Sequence, residues 1–160
     1  MNPKIATLCL LRRGDTVCLA MKSRGFGNAW WNGYGGKVAE SEMIPVAAVR
    51  ELKEEARVVA EEKDLEKVAI ISFYFKVPEG EQLKFIVHVF MVHEFAGMPK
   101  ATEEMQTPTW FKISEIPWAE MFSSDVIWLR KVLAGEKFSG EIHYNENASE
   151  TLRVDFKPLH

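Results

Sequence analysis

The sequence is poor in cysteine, in long apolar runs and in excess charge of either sign. Its two cysteines, Cys9 and Cys18, lie in apolar segments, so a disulfide is possible but two buried free thiols are favoured. No apolar run approaches the length of about 18 residues that a membrane helix needs, and the N-terminus lacks the charged-then-apolar design of a signal peptide. A formal net charge of −3 gives no general attraction for nucleic acid polymers or acidic membranes. These absences predict a cytoplasmic protein and leave monomer and homodimer both open.

The chain does contain enough apolar material for one globular domain. Its 160 residues are 47% hydrophobic and 27% charged, which suits a single domain, residues 1–160, that buries roughly 70% of its unfolded surface. Segments rich in β-forming residues surround stretches with helical apolar spacing, so the pattern indicates an α/β fold with a mixed sheet between helices. We expect a hairpin of 4–11 with 16–21, a C-terminal hairpin around 145–149 and a helix from Ile44. A second helix is expected within 119–133, with Ser123, Ser124 or Asp125 available as its N-cap.

The first of these helices carries an acidic face. Apolar residues from Ile44 to Val59 recur at helical spacing, and Glu51, Glu54 and Glu55 fill an arc beside that apolar stripe. Like charges at these spacings repel, so helix stability alone does not favour the cluster. Mg²⁺ takes hard oxygen ligands, and this arc can supply them. A solvated acidic helix face is the alternative that the three glutamates leave open.

The spacing around these glutamates resembles the Nudix box, G-x5-E-x7-R-E-U-x-E-E-x-G-U, where U is a bulky aliphatic residue. The run GKVAESEMIPVAAVRELKEEARV departs from it at one position, where Arg57 stands in place of a glycine. A glycine would permit a left-handed turn as the helix ends, and Arg57 would cost about 1 kcal/mol in that conformation, so we expect a different helix exit. The matching residues are Gly36, Glu42, Arg50, Glu51, Leu52, Glu54, Glu55 and Val58.

The resemblance implies a fold, a reaction and a metal site. The fold is the Nudix α/β/α sandwich with a mixed β-sheet. The reaction is hydrolysis of a nucleoside triphosphate to the monophosphate and pyrophosphate with Mg²⁺ or Mn²⁺ as cofactor. Arg50 is expected to orient the carboxylates, and the general base is left open between Glu51, Glu55 and Glu104. The implied metal ligands are the Gly36 carbonyl and the carboxylates of Glu51, Glu54, Glu55 and Glu104.

The segment that leads into the box narrows the resemblance. MKSRGFGNAWWNGYGGKVAESE is similar to the animal-type branch of MutT-related Nudix enzymes, which hydrolyse oxidised purine nucleoside triphosphates such as 8-oxo-dGTP and 2-hydroxy-dATP. This likeness implies that Asn32 hydrogen-bonds the purine edge and that Phe26 lines the base pocket. It also implies that Thr7 and Lys22 lie near the base and the sugar. An amide suits this role because it both donates and accepts hydrogen bonds.

The chain departs from that branch near its last helix. There the branch carries a tryptophan and two successive aspartates, whereas this chain has Phe122, Ser124 and Asp125. Phenylalanine can still stack on a base, but one carboxylate has become a hydroxyl, which can redirect specificity without affecting catalysis. Asp125 can alternatively serve as a helix cap. Two alternative functions are left open. The first is hydrolysis of another Nudix substrate, such as a dinucleoside polyphosphate, a nucleotide sugar or an ordinary nucleoside triphosphate. The second is nucleotide binding by a non-catalytic module.

Overall fold

A computed structural model describes residues 2–25 and 28–159 of the chain. In that part of the chain it contains eight strands, two α-helices and three short 3-10 turns. The strands are β1 Lys4–Arg13, β2 Thr16–Lys22, β3 Trp31–Asn32, β4 Leu65–Val77, β5 Gly80–Val92, β6 Met105–Lys112, β7 Phe138–Tyr144 and β8 Thr151–Pro158. The helices are α1 Ile44–Ala56 and α2 Asp125–Leu133, and the 3-10 turns are Glu62–Asp64, Ile113–Glu115 and Trp118–Glu120.

The strands form one mixed sheet in the order β3-β2-β1-β5-β4-β7-β8, and β6 pairs with β2. The pairs β1 with β5 and β4 with β7 are parallel, and the other pairs are antiparallel. Both predicted hairpins are present, since β1 pairs with β2 and β7 pairs with β8. The predicted α/β class with a mixed sheet is therefore confirmed.

Each face of the sheet packs against one helix. Successive residues of a strand point to opposite faces, so Cys9 and Leu11 of β1 join the cluster under α1, whereas Leu10 joins the cluster under α2. Cys9 and Cys18 are fully buried free thiols, as the sequence favoured. No helix among the described residues is both long enough and apolar enough to cross a membrane.

Only the first part of the predicted stretch of the second helix is wrong, because the helix begins after Ser124, which is one of the three predicted N-cap residues. Instead of a helix from residue 119, the chain forms the 3-10 turn Trp118–Glu120, passes through an extended Met121, and begins α2 at Asp125. Ser124 occupies the N-cap position but its side chain does not cap the helix. Its hydroxyl bonds the hydroxyl of Tyr144, so a tertiary contact has replaced the local one.

The expected change at the end of α1 is also wrong. Arg57 keeps the left-handed conformation that glycine would favour, with φ 60° and ψ 28°, and its N–H donates to the Lys53 carbonyl at 3.0 Å. In the neighbouring loop, the backbone N–H of Lys100 donates to the carbonyl of Ala56 at 2.9 Å. Tertiary packing therefore preserves the helix exit and leaves Arg57 with the conformational cost.

Replacing Arg57 with glycine should stabilise the protein. The left-handed conformation costs a residue with a Cβ atom about 1 kcal/mol relative to glycine, which corresponds to a rise in Tm of about 2–4 °C for a chain of this size. Thermal denaturation would measure the rise. Arg57→Ala is the matched control, because it removes the same side chain but retains Cβ and should show no comparable gain.

Candidate active site

Helix α1 presents its three glutamates at different depths. The helix begins after the extended residue Met43 and has Pro45 in its first turn, where a missing N–H costs nothing. About two to three turns later, Glu55 is 6% exposed, the side chain of Glu51 is 14% exposed and that of Glu54 is 59% exposed. The acidic arc therefore runs from the interior to the solvent, which a merely solvated helix face would not do.

Arg50 joins these glutamates into one network. Its Nε and Nη2 atoms donate to the two oxygens of Glu42 at 2.7 and 2.9 Å, and Glu42 also accepts the N–H of Ala39 at 2.9 Å. The bond from Arg50 and then that from Ala39 lower the pKa of Glu42 to about 2. The Nη1 atom of Arg50 lies 2.9 Å from Glu51 and 3.3 Å from Glu54. One guanidinium therefore contacts three carboxylates and limits their movement.

A two-glycine turn packs directly against the same carboxylates. The N–H of Gly35 donates to Oε1 of Glu55 at 2.9 Å. A Cβ atom at Gly36 would lie 2.5 Å from Cδ of Glu51 and 2.6 Å from both of its oxygens, so the missing side chain makes the space that this carboxylate fills. The Gly36 carbonyl accepts the N–H of Thr7 at 2.9 Å and has a second lone pair for another partner.

Burial and crowding perturb the acidity of these groups. Burial raises the pKa of Glu55 to about 8, and a hydrogen bond with Glu104 and the charge of Glu51 add to this effect. Burial is also the main cause of a raised pKa at Glu51. The pKa of Glu104 is lowered by Arg24, whose Nη2 atom lies 3.0 Å away. These opposite shifts favour the protonated form of Glu55 and the ionised form of Glu104.

This donor set fits a hard divalent cation by its chemistry. Clustered carboxylate oxygens are the ligands that such a cation prefers, and its charge would favour the ionised form of the buried Glu55. Among the described residues, no three His, Cys, Asp or Glu side chains already surround one point. The guanidinium of Arg50 partly neutralises the carboxylates of Glu51 and Glu54. A bound cation would add positive charge at the same carboxylates.

The metal-free protein should lose stability as the pH rises from weakly acidic to weakly basic values. The pKa of Glu55 is raised from 4.5 to about 8 and burial raises that of Asp125 from 3.8 to about 7, so in this window the native state binds protons that the unfolded chain releases. The stability that protonation provides is complete below the unfolded pKa values and is lost as the pH rises through the folded ones. Glu42 acts in the opposite direction, but only below its ordinary pKa of 4.5. His88, whose pKa burial lowers from 6.5, opposes the trend only in the acidic part of the window, and it is one group against two.

Thermal denaturation in EDTA between about pH 5 and pH 8.5 would measure this slope. We expect Tm to fall by several degrees across the range, and we expect Glu55→Gln to make the fall smaller because the amide does not titrate, whereas Asp125 still does. A wild-type Tm that rises over the same range would contradict the protonated state of Glu55.

A cavity of about 800 Å³ connects the glutamates to a wall of aromatic rings. This volume lies within the range of about 300–1,000 Å³ that is typical of small-molecule sites. The hydroxyl of Thr7 is buried and has no hydrogen-bond partner within the described part of the chain. Phe26 lies outside the described residues. The other residues predicted to bind substrate all line the cavity, namely Thr7, Lys22, Asn32, Phe122 and Asp125.

The aromatic end of the cavity contains one buried acid. Asp125 is 5% exposed, and its carboxylate accepts the indole N–H of Trp128 at 2.9 Å and the backbone N–H of Phe122. Phe122 lies with its ring centroid 5.5 Å from that of Trp30. The structure therefore brings together the glutamates predicted to bind metal, Asn32 and Asp125 around one cavity, although they come from four distant segments.

The sequence-based predictions do not include most of the aromatic wall. Phe73 and Phe75 alternate along β4 and line the cavity with Phe85 of β5 and Tyr144 of β7. The F-x-F alternation is a visible signal for one inward-facing strand surface. It does not reveal which ligand or helix that surface faces, because this depends on pairing with distant strands.

Comparison with known proteins identifies the family. The model of the NUDIX domain family matches residues 2–134. This match covers most of the chain, so the protein belongs to the NUDIX family, and the family indicated by the box residues is confirmed. NUDIX hydrolases generally use a divalent metal, in agreement with the donor set on α1.

The most informative relatives have similar lengths. Two curated relatives are called oxidized purine nucleoside triphosphate hydrolase. The one from Danio rerio is 39% identical over 137 residues, 86% of this chain and 84% of the relative. The one from Mus musculus is 38% identical over 143 residues, 89% and 88% of the two chains. The crystal structure of a MutT protein from Bacillus halodurans aligns with a TM-score of 0.83 and 26% identity, covering 98% of this chain and 99% of that one.

Proposed function

We propose that this protein hydrolyses oxidised purine nucleoside triphosphates, such as 8-oxo-dGTP or 2-hydroxy-dATP, to the monophosphate and pyrophosphate. The observation that carries the proposal is the continuous cavity that joins an aromatic pocket with one buried acid, Asp125, to the glutamates of α1. A flat base fits between rings such as Phe122, and its triphosphate would extend toward the carboxylates. The names of the two curated relatives support the same substrate class.

The cofactor in this proposal is Mg²⁺ or Mn²⁺, held by Glu51, Glu54, Glu55, Glu104 and the free lone pair of the Gly36 carbonyl. When bound, such a cation neutralises charge on phosphate oxygens and lowers the pKa of a coordinated water. Arg50 keeps the carboxylates in place through its bonds to Glu42, Glu51 and Glu54. Glu51, Glu55 and Glu104 are the three candidates for the general base, and Glu55 is the buried one among them.

At the other end of the cavity, protein groups would select the base. Asn32 lines the cavity with its Oδ1 atom already bonded to the N–H of Gly33 at 2.9 Å, which leaves its NH₂ group to donate to a purine acceptor. Asp125 would hydrogen-bond a neighbouring position on the edge of the purine base. The two buried free thiols suit a cytoplasmic location, and we assign the activity to one domain spanning residues 1–160.

A substrate panel tests this function. The protein would be incubated with Mg²⁺ and 8-oxo-dGTP, 2-hydroxy-dATP, dGTP, dATP or a dinucleoside tetraphosphate, with pyrophosphate and phosphate measured separately and EDTA as the control. We expect preference for an oxidised purine, release of pyrophosphate, and loss of turnover in EDTA. Turnover of another substrate alone would retain the hydrolase and refute this substrate class. Binding without turnover would indicate a non-catalytic module.

A further inference from the structure

A pair of hydroxyl groups lies at the aromatic end of the cavity. Ser124 is fully buried, Tyr144 is 3% exposed, and the two hydroxyls are hydrogen-bonded to each other. Tyr144 lines the cavity, whereas Ser124 is absent from its wall. Of these two residues, only Tyr144 contributes to the cavity wall, and Ser124 contacts its hydroxyl.

The ring of Tyr144 is held in a fixed position by its neighbours. It stacks on Phe73 with centroids 5.8 Å apart and an interplanar angle of 19°, and it meets Phe75 edge-on at 5.4 Å and 70°. The Phe122 ring lies 6.4 Å away. A tyrosine packed on several sides presents its hydroxyl at one place and loses little entropy when a ligand bonds to it.

The hydroxyl pair complements the acid beside it. A phenol can donate while accepting from Ser124, or accept while donating to Ser124, whereas an ionised carboxylate only accepts. Asp125 is close enough to Tyr144 for its charge to act on the phenol. Beside the Asp125 carboxyl group, Tyr144 therefore offers a hydroxyl that can match either an oxo or an amino substituent.

We propose that Tyr144 is a specificity-determining residue that hydrogen-bonds the edge of the purine base, and that Ser124 is the positioning residue that orients its hydroxyl. This inference rests on the proposed function for the identity of the ligand. Ser124 stands where the related branch has an aspartate. In this proposal it acts on the base through Tyr144 and does not contact the base directly.

Binding of the reaction products tests the proposal without requiring turnover. Isothermal titration calorimetry would give the Kd of 8-oxo-dGMP and 2-hydroxy-dAMP for the wild type, Tyr144→Phe, Ser124→Ala and the double variant. Loss of one hydrogen bond should weaken binding about 5- to 10-fold in Tyr144→Phe. Ser124→Ala should weaken it less, by about 2- to 3-fold, because the phenol remains but is no longer oriented. In the double variant, loss of the serine should add nothing.

Tyr74→Phe is the matched control, since it removes the same hydroxyl from β4 at a ring that stacks on His143 and does not line the cavity. Its Kd should equal that of the wild type, and thermal denaturation would confirm that each variant is folded. Should Tyr144→Phe fail to fold, Ser124→Ala still tests the proposal, because unchanged binding by that variant refutes the positioning role.

Two results would overturn the inference: equal Kd values for Tyr144→Phe and the wild type, or additive effects of the two substitutions. Absence of product binding by the wild type would overturn it too. Failure of the proposed function is distinguishable. If the wild type shows no turnover but its product affinity depends on Tyr144, the hydrolase is refuted and the base contact is retained. If the wild type shows turnover but Tyr144→Phe binds product with unchanged affinity, the base contact is refuted and the hydrolase is retained.

Discussion

Alanine at Gly36 should remove nearly all hydrolysis and leave the protein folded, whereas alanine at the adjacent Gly35 should prevent stable folding. At Gly36 the new methyl group would lie 2.5–2.6 Å from the carboxylate of Glu51, which is the end of a flexible side chain and can swing away. The displacement would cost little stability, but a shift of about 1 Å in a catalytic group can lower the rate about 100-fold.

At Gly35 the methyl group would meet groups that cannot move. It would lie 1.8 Å from the carbonyl oxygen of Thr7, 2.6 Å from its carbonyl carbon and 2.9 Å from Cα of Leu8, all backbone atoms of β1. Because β1 is paired along its length with β5, we expect a loss of more than about 3 kcal/mol in the free energy of unfolding.

Thermal denaturation and pyrophosphate release, measured on both variants, separate the two effects. Gly35→Ala should lower Tm by more than about 6 °C or yield insoluble protein. Gly36→Ala should keep Tm within a few degrees and lose turnover at saturating Mg²⁺. Wild-type turnover in Gly36→Ala would show that the position of Glu51 against this turn is unimportant for the reaction.

The second large effect is expected from Glu54→Gln. The side chain of Glu54 is 59% exposed and its ion-pair partner is Arg50 at 3.3 Å, so an amide of the same shape should leave Tm almost unchanged. The amide lacks the negative charge that a divalent cation requires. We expect turnover to fall by at least about 100-fold, since even groups that only support a metal ligand contribute about 10- to 100-fold.

The matched control for that experiment is Glu94→Gln, which makes the same change at an exposed glutamate outside the cavity. Turnover would be measured as pyrophosphate release over a range of Mg²⁺ concentrations, and metal binding as the increase in Tm on adding Mg²⁺ or Mn²⁺ to metal-free protein. Glu54→Gln should lose both signals and Glu94→Gln neither. Turnover equal to that of the wild type in Glu54→Gln would refute the metal site on α1.

The clustering of charged side chains on α1 could be predicted from residue spacing alone. Residues three and four apart on a helix are neighbours in every context, so the spacing of Arg50, Glu51, Glu54 and Glu55 predicts their clustering before any tertiary contact is known. The helix exit at Arg57 shows the limit of the same reasoning. Local preference disfavours a left-handed arginine, but packing retains this conformation, because the surrounding contacts together outweigh a cost of about 1 kcal/mol.

Local patterns in the sequence were enough to predict the mixed α/β class, the two hairpins, the acidic arc of α1 and the family, because each depends on periodicity or spacing within a short segment. The depth of each glutamate, the aromatic wall and the partner of Ser124 became visible only in the folded chain. Tyr144 meets Phe73 and Phe75 through the parallel pairing of β4 with β7, and it meets Ser124 because α2 begins at Asp125. Strand register and helix start depend on the packing of the whole chain, which no single segment encodes.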